Sequence, residues 1–304
     1  MIIAVASGKG GTGKTTVAVS LALTVAAERE CTSAPSGPSG GNVAPTVRLI
    51  DCDVEEPNVA LFLHPVIHAR RSVSILVPQV DSGVCTLCGR CAEVCAYHAI
   101  VLAGKVVLVF DEMCHGCGSC CVQCPASAIR EVPHVLGTVE SGHAGPLLFA
   151  HGILNVGEAM GVPLIRALKQ EHLAGCAGLG SDVAILDAPP GTSCPVVQTM
   201  HGADFVLLVT EPTPFGLHDL RLAVEVARGE LGLPVGVVVN RDGCGDAGVD
   251  DYCASESIPI LMRLPLDRAI AEAIAGGQTL VGAFPQYRPS FVALYSAILA
   301  QVAR

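Results

Sequence analysis

The sequence predicts a doubly wound α/β fold around a mostly parallel sheet, and two patterns in its 304 residues support this prediction. Short aliphatic runs rich in β-branched residues recur along the chain, each bounded by Gly, Pro, Asp or Asn, as is typical of strands buried on both faces. Helical patterns such as 14–29 and 216–231 separate these runs, and this alternation is typical of βαβ units. The predicted strands lie at 1–6, 47–50, 183–186, 205–209 and 235–239.

Composition narrows the class of protein. Hydrophobic residues make up 51% of the chain and charged residues 15%, which excludes general disorder. The formal net charge is −10, so no nucleic-acid partner is expected. No apolar run reaches the roughly 18 residues of a membrane-spanning helix, and the apolar start of the chain leads directly into a glycine-rich motif without a basic segment or a cleavage site. We therefore expect a cytoplasmic protein with no stable membrane insertion.

The glycine-rich motif follows the first predicted strand. Residues 8–15 read GKGGTGKT and match GxxxxGK[ST] between a strand and a helix, the context that this motif requires. Its backbone N–H groups and the helix N-terminus favour phosphate oxygens, so Lys14 is predicted to hold the β- and γ-phosphates and the Thr15 hydroxyl to bind Mg²⁺. A glycine-rich turn without a ligand is the alternative. The predicted nucleotide-binding residues are Gly10, Gly11, Thr12, Gly13, Lys14, Thr15 and Thr16.

Lys9 lies five residues before Lys14 and makes the motif KGGTGKTT. With this lysine the sequence resembles the deviant P-loop ATPases of the MinD, ParA and nitrogenase iron protein group. The resemblance implies an ATPase that acts as a homodimer, or as a heterodimer with a related ATPase, in which the early lysine reaches the phosphates of the partner. A solvated surface lysine is the alternative interpretation of Lys9.

Two further predicted strands end in aspartate. The run LIDCD at 49–53 ends at Asp53, which the resemblance assigns to the first switch, where it orients the attacking water; a turn or helix-capping aspartate is the alternative. The run ILDAPPGT at 185–192 resembles the DxPPG second switch of the family. Asp187 is therefore expected near Mg²⁺, and the Gly191 N–H near the γ-phosphate. A carboxylate at the carboxyl end of a strand beside the P-loop strand can reach this phosphate.

Two single residues carry weaker resemblances. Asn240 follows the predicted strand at 235–239, at a position where the family uses asparagine to contact adenine; a turn-forming asparagine is the alternative. Cys194 lies seven residues after Asp187, the offset of a cluster cysteine in the nitrogenase iron protein. A dimer would bring only two such thiols together, too few ligands for a cluster between subunits.

Eight of the fifteen cysteines form one spacing pattern that occurs twice. The spacing C-x2-C-x2-C-x3-C covers 85–95 and again 114–124, and only the first run lacks the proline that normally follows, having Ala96 instead. This is the bacterial ferredoxin pattern, in which the fourth cysteine of each run binds the other cluster. Zinc held by two CxxC pairs is the alternative, but a twofold repeat favours two 4Fe-4S clusters. The predicted ligands are Cys85, Cys88, Cys91 and Cys124 for the first cluster, and Cys114, Cys117, Cys120 and Cys95 for the second.

The cysteine runs interrupt the α/β alternation. The sequence thus predicts an ATPase domain in two parts, 1–80 and 133–304, and an inserted α+β dicluster ferredoxin module over 81–132 whose two ends lie close together. The stretch 31–46, rich in Ser, Gly and Pro, is predicted to be a flexible surface excursion. The segment 152–166 also resembles the family, but no role for it follows from the sequence.

Together these features predict an ATP-hydrolysing dimer whose nucleotide state gates electron transfer through two 4Fe-4S clusters to a redox partner. One alternative is an iron–sulfur scaffold or carrier that delivers clusters to an acceptor protein. Another is an ATP-dependent positioning protein with structural clusters. Ligands that close both clusters favour the redox function, because a delivery site needs a labile cluster.

Overall fold

The computed structural model describes residues 1–32, 46–174, 176 and 182–303, and most of the predicted surface excursion at 31–46 lies outside these residues. The described residues form eleven strands. They are β1 (Ile2–Ala6), β2 (Val47–Asp51), β3 (Val66–Val80), β4 (Ile100–Ala103), β5 (Val106–Val109), β6 (Ile129–Ala144), β7 (Leu147–Leu154), β8 (Val183–Asp187), β9 (Phe205–Thr210), β10 (Val235–Asp242) and β11 (Ile260–Pro265).

Eleven α-helices occur in the same described ranges, and several of them connect consecutive parallel strands. The predicted helix at 216–231 begins at Pro214 and continues after Val224 as a π-helical turn, Glu225–Glu230. The helices are α1 (Lys14–Thr32), α2 (Val59–Leu63), α3 (Arg90–Glu93), α4 (Ser119–Val122), α5 (Val162–His172), α6 (Cys194–Met200), α7 (Pro214–Val224), α8 (Gly248–Ser255), α9 (Arg268–Ala275), α10 (Leu280–Ala283) and α11 (Arg288–Val302).

Nine strands form one sheet in the order β11-β10-β9-β1-β8-β2-β7-β6-β3. Neighbours from β11 to β7 run parallel, and β6 is antiparallel to both of its neighbours, β7 and β3. The doubly wound, mostly parallel fold predicted from the sequence is therefore confirmed. All five predicted strands are present, whereas β3 and β6 carry many exposed polar residues and gave no aliphatic signal.

Each face of the parallel sheet is covered by its own hydrophobic core. Side chains of β1 alternate between the two, since successive residues of a strand point to opposite faces. Ile3 packs with α1 and α11 in one core, and Ala4 packs with α5 and α7 in the other. This double burial explains why the central strands are continuously aliphatic. No described helix has the length and apolar character needed to cross a bilayer.

The cysteine-rich segment lies at the open end of the β3–β6 hairpin. Val80, the last residue of β3, pairs with Ile129, the first residue of β6, so the chain leaves the hairpin and returns to it at paired positions. The intervening residues contain α3, α4 and the small two-stranded sheet of β4 and β5. The segment is thus attached to the large sheet by a single antiparallel ladder.

Candidate functional site

A cavity of about 600 Å³ lies at the carboxyl ends of the parallel strands. Its volume is within the range of small-molecule sites, and the carboxyl edge of such a sheet is where ligands bind in this fold class. Glycines and hydroxyl residues of the loop between β1 and α1 line one side of it, and α9 lines the opposite side. The lining residues predicted from the sequence are Gly10, Gly11, Gly13, Lys14, Thr15, Thr16, Asp53 and Asn240.

The loop between β1 and α1 has a conformation that requires glycine. Gly11 and Gly13 have φ values of +77° and +93°, in the left-handed region that side chains disfavour. A Cβ atom on Gly13 would also lie 2.4 Å from Nδ2 of Asn240. Lys14 and Thr12 are buried at the base of this loop. The glycines of the motif are therefore needed for the backbone itself.

Two residues near the end of β10, Asn240 and Arg241, hydrogen-bond to the backbone of this loop. Asn240 Nδ2 donates to the carbonyl of Thr12 at 2.8 Å, and Arg241 Nη2 donates to the carbonyl of Gly11 at 3.1 Å. Asn240 Oδ1 accepts from the Arg241 backbone N–H at 3.0 Å. The structure thus places Asn240 at the cavity as a brace of the loop. Its contact with a purine stays a prediction.

Asp187 ends β8 as a buried carboxylate beside Lys14 and Thr15. Its Oδ1 atom has no hydrogen-bond partner among the described residues, and neither has the hydroxyl of Thr12. Burial raises the pKa of Asp187 to about 6, an effect that the charge of Lys14 and a hydrogen bond with Thr15 oppose. An unpaired buried oxygen is costly unless a ligand satisfies it. With the Thr15 hydroxyl it forms the kind of oxygen donor set that fits Mg²⁺.

Asp51 is a functional candidate that the sequence reasoning missed. It is fully buried at the end of β2, where its two carboxylate oxygens accept from the backbone N–H groups of Asp53 and Val59, both at 3.0 Å. Burial and the nearby charge of Asp187 raise its pKa well above the usual value. Asp51 therefore fixes the turn that carries Asp53. The only signal for it in the sequence was its place as the first aspartate of the DCD run.

Asp53 itself lies at the wall of the cavity. Burial raises the pKa of its carboxyl group, and the charge of Lys14 acts in the opposite direction. Gly191 follows the second aspartate strand at a φ of +91°, and its N–H donates to the carbonyl of Ser7 at 3.1 Å. Its contact with a γ-phosphate stays a prediction that requires this hydrogen bond to open.

Lys9 extends to a carboxylate of its own chain. Its Nζ atom lies 3.7 Å from Oε1 of Glu211, and the same oxygen accepts from Arg241 Nη1 at 3.1 Å. Glu211 and Arg241 were also missed by the sequence reasoning, since Glu211 follows β9 and Arg241 lies near the end of β10, both far from the motif in sequence. Contact of Lys9 with a partner subunit stays a prediction.

The eight cysteines of the two runs surround two separate cavities. Each cavity takes three cysteines from one run and the fourth from the other run, the same grouping that the spacing predicts. Cys85, Cys88, Cys91 and Cys124 line the first cavity. Cys95, Cys114, Cys117 and Cys120 line the second cavity, together with Cys121.

The two cavities are built by a structural repeat of 29 residues. The backbone N–H of Ala99 donates to Cys95 Sγ at 3.3 Å, and Ala128 donates to Cys124 Sγ at the same distance. Such donors stabilise thiolate ligands. The short helices α3 and α4 are also related by this repeat. Left-handed backbone recurs at the equivalent pairs Leu87 and Gly116, Gly89 and Gly118, and His98 and Ser127.

Each of the two cavities is lined by four cysteines of the two runs, the ligand number of a 4Fe-4S cluster and also of a structural zinc ion. The twofold repeat of the ferredoxin spacing is what favours a cluster over zinc at these thiols. Burial raises the pKa of Cys120 to about 12, so cluster binding must displace protons.

The described cysteines outside the two ligand sets differ in burial. Cys52, Cys176 and Cys253 are buried like small apolar side chains, Cys121 is partly buried, and Cys194 and Cys244 are exposed. Cys194 begins α6, near the second aspartate strand. The Cys194 thiol, seven residues after Asp187, is therefore accessible to solvent.

Solved structures share this architecture over its whole length. The septum site-determining protein MinD of Pyrococcus horikoshii OT3, in complex with Mg-ADP, aligns with a TM-score of 0.56 and 18% identity over 100% of this chain and 98% of that chain. The cell division ATPase MinD of Pyrococcus furiosus aligns with a TM-score of 0.54 and 21% identity over 98% of both chains. A ParA family ATPase of Chlorobium tepidum TLS gives 0.52 and 13% over 98% and 97%. The chain therefore has the MinD/ParA-like fold of P-loop ATPases.

The cysteine segment matches a second, independent class. Residues 77–100, which contain the first cysteine run, match the family model described as a 4Fe-4S binding domain. The chain is thus a protein of MinD/ParA-like P-loop ATPase fold that carries a 4Fe-4S binding domain within it.

Similarity in sequence extends to two groups of proteins. The uncharacterized protein MJ0579 of Methanocaldococcus jannaschii is 28% identical over 92% of this chain and 91% of its own length. A second protein of that organism, MJ0578, is 29% identical over 74% of this chain and 72% of its own. The cytosolic Fe-S cluster assembly factor Nubp1 homolog of Drosophila pseudoobscura pseudoobscura is 32% identical over 33% of this chain and 39% of its own length.

Proposed function

We propose that this chain is an ATP-hydrolysing protein whose nucleotide state controls electron transfer through two 4Fe-4S clusters. In this proposal the ATPase domain consists of 1–80 and 133–304, and the ferredoxin module of 81–132 holds both clusters. The observation that carries the proposal is a continuous set of contacts between the nucleotide cavity and the second cysteine cavity.

The first part of this connection begins beside Asp53. The carbonyl of Val54 accepts from the backbone N–H of Leu154 at 2.8 Å. Val54 is buried, and its two methyl groups lie so close to Gly152 and Gly161 that a Cβ atom there would come within 2.6 and 2.8 Å of them. Val54 is thereby held between Gly152, near the end of β7, and Gly161, at the end of the loop 155–161. In this proposal Val54 passes a displacement of the first switch to the loop.

The second part joins the loop 155–161 to the hairpin that carries the module. Asn155 donates from its backbone N–H to Leu136 at 2.8 Å and from Nδ2 to the carbonyl of Val135 at 3.0 Å. Glu158 Oε1 lies 2.7 Å from Nε2 of His134, and Nδ1 of His134 lies 4.0 Å from Oδ2 of Asp111. Asp111 precedes Cys114 by three residues, so this connection ends beside the second cavity.

Each residue at the nucleotide cavity has a distinct task in the proposed reaction. Lys14 and the N–H groups of its loop bind the phosphates, and Asp53 orients the attacking water. Asp187 and the Thr15 hydroxyl hold Mg²⁺, which neutralises phosphate charge when bound. Lys9 contacts the phosphates of the partner subunit in the dimer.

The dimer partner is a second copy or a related ATPase. The heterodimer is supported by Methanocaldococcus jannaschii, in which two different proteins are similar to this chain. The electron donor or acceptor is a separate protein.

Contacts alone do not couple two sites, because ATP must bind two arrangements of the module with different affinity. Typical coupling free energies are about 1–3 kcal/mol. For a one-electron couple this corresponds to a shift in reduction potential on the order of 40–130 mV.

The test is a redox titration of the anaerobically reconstituted full chain, followed by EPR, without nucleotide, with ADP and with a nonhydrolysable ATP analogue. Two clusters imply about eight irons per chain. We expect the ATP analogue to shift one midpoint in the wild type and to shift it less in Glu158→Gln. The exposed carboxylate Glu225, on the π-helical turn, supplies the control variant Glu225→Gln. Identical midpoints in all three nucleotide states would contradict the gating.

Cluster delivery is the second candidate function. It is supported by the partial similarity to a cytosolic Fe-S cluster assembly factor and by the exposure of one thiol at each cavity, Cys88 and Cys117. Its signature is ATP-accelerated transfer of an intact cluster to an apo-ferredoxin without a change in midpoint. The same reconstituted protein serves for both measurements.

A further inference from the structure

The 29-residue repeat relates the cysteines of the two cavities, but other side chains that line the two cavities differ. Over the second cavity, the rings of Tyr97 and His115 stack with centroids 3.6 Å apart and planes inclined by 8°. The equivalent residues at the first cavity are Ala126 and Thr86, which also line it. A methyl group and a short hydroxyl side chain cannot form such a stack.

The stack joins the two cysteine runs across the second cavity. Tyr97 follows Cys95, the fourth cysteine of the first run, and His115 follows Cys114, the first cysteine of the second run. Stacked rings gain from their mutual contact beyond the area they bury, so each ring holds the other over the cavity. Thiol exposure does not distinguish the cavities, since Cys88 and Cys117 are both exposed. The aromatic stack is therefore a feature of the second cavity that the first cavity lacks.

The two cavities lie at different positions along β3, and therefore at different distances from the large sheet. Leu76 and Pro78 line the second cavity, whereas Val80, at the end of β3, lines the first. At about 3.3 Å per residue, the first cavity lies roughly 7–13 Å farther along the strand. Val73, earlier on β3, is buried in the core of the large sheet. The covered cavity is thus the one nearer to the ATPase sheet, and the uncovered cavity is the distal one.

We propose that the Tyr97–His115 stack shields the second cluster from water and small reagents and leaves the first cluster as the site of electron exchange with a partner protein. This inference rests on the two clusters of the proposed function, but it does not depend on ATP. With clusters bound, a one-electron carrier protein would be oxidised by one electron as the first cluster is reduced by one, and the same electron would then pass to the second cluster, or the reverse.

The test measures bleaching of the reconstituted full chain by an iron chelator, EDTA, in the absence of nucleotide. We expect two phases of equal amplitude in the wild type. Tyr97→Ala and His115→Thr should each accelerate the slow phase on the order of fivefold, as expected for the loss of one aromatic stack. Tyr97→Phe keeps the stack and should retain the slow phase. The double variant Thr86→His with Ala126→Tyr builds the stack at the first cavity and should slow the fast phase.

Two results would overturn the inference. One is a single bleaching phase in a wild-type preparation that holds eight irons, and the other is an unchanged slow phase in both Tyr97→Ala and His115→Thr. Iron content is measured for every variant. If a cover variant loads less iron, the reciprocal variant at the first cavity decides the question. A wild-type preparation that loads only zinc would contradict the two-cluster proposal itself, so the two failures are distinguishable.

Discussion

The Nζ atom of Lys9 lies 3.7 Å from Oε1 of Glu211, so the lysine proposed to reach a partner subunit is ion-paired within its own chain. The Glu211 side chain is only 10% exposed and also accepts from Arg241, which in turn donates to the carbonyl of Gly11. Lys9 must leave this carboxylate before it can contact a second nucleotide. Dimer formation therefore competes with an intramolecular ion pair.

Replacing Glu211 by glutamine removes this competition. Glu211→Gln is expected to strengthen ATP-dependent dimerisation about fivefold, because a partly exposed ion pair contributes about 1 kcal/mol at most. Analytical ultracentrifugation with a nonhydrolysable ATP analogue measures the dimer dissociation constant. Lys9→Ala should weaken the dimer, and equal dimerisation of Lys9→Ala and wild type would exclude the contact of Lys9 with the partner.

Substitution of Asp51 is expected to lower both stability and ATP turnover, whereas substitution of Asp53 is expected to lower turnover alone. Asp51→Ala leaves the N–H groups of Asp53 and Val59 without acceptors, at a cost of about 1–3 kcal/mol for a buried donor, and disorders the first switch. We expect a lower free energy of unfolding and a loss of hydrolysis. Asp53→Ala should lose hydrolysis while it keeps stability and nucleotide binding. Urea unfolding measures the stability of each variant, and an ATPase assay measures its turnover. If Asp51→Ala is as stable as the wild type, the Asp51 carboxylate does not hold the turn.

The buried carboxyl group of Asp187 predicts a pH dependence in the absence of Mg²⁺. Its pKa is raised from 3.8 to about 6 in the folded chain, so between these values the folded state binds more protons than the unfolded state. The free energy of unfolding should therefore fall as the pH rises from about 4 to 6, by at most about 3 kcal/mol. Asp187→Asn should reduce this decline, with the raised pKa values of Asp51 and Asp53 accounting for the remainder, and should be the more stable protein at pH 7.5 without Mg²⁺. A parallel decline in Asp187→Asn would assign the effect to other groups.

With Mg²⁺ and nucleotide bound, the wild type is expected to be more stable than Asp187→Asn at pH 7.5. Mg²⁺ requires the ionised carboxylate of Asp187, so Mg²⁺-dependent nucleotide binding is expected to weaken as the pH falls through about 6 in the wild type. Thermal unfolding with and without Mg-ADP at several pH values measures this difference. An equal stabilisation of wild type and Asp187→Asn by Mg-ADP at pH 7.5 would contradict the assignment of Asp187.

Lys14 should dominate nucleotide affinity. It is buried at the cavity base and acts on the pKa of both Asp53 and Asp187, so its removal also leaves like charges without a counter-charge. Lys14→Ala is expected to weaken ATP binding at least a hundredfold by isothermal titration calorimetry. The exposed Lys105, in the turn between β4 and β5, supplies the control Lys105→Ala. An affinity equal to that of the control would contradict the ATPase proposal.

Short-range patterns made much of this molecule predictable. The glycine-rich motif, the aliphatic strands and the cysteine spacing each occupy a few consecutive residues, and each has one dominant physical explanation. The strands β3 and β6 were not predicted, because an antiparallel ladder of exposed polar residues has no aliphatic run and its pairing partners lie far apart in sequence. Segment 152–166 gave no interpretation for the same reason, since its contacts with Val54 and His134 join positions that lie apart in sequence.

The same limit applies to the candidate site. Glu211 and Arg241 could not be predicted, because their partners in the glycine-rich loop, Lys9 and Gly11, lie more than 200 residues away and only the sheet order brings them together. Asp51 was overlooked in favour of Asp53, since sequence alone does not tell which of two neighbouring aspartates points into the core. The grouping of cysteines, by contrast, follows from local spacing and repetition.

The pairing of Val80 with Ile129 makes the iron-binding segment removable. Paired residues of antiparallel strands have Cα atoms about 4.5–5.5 Å apart, a gap that a two-residue Asn-Gly turn closes. Replacement of 81–128 by such a turn would leave all residue pairs of the β3–β6 ladder in register. Val77 of β3 is buried against Ala99 and Cys114 of the segment, so the excised protein would expose this small apolar cluster and need a polar residue there to stay soluble.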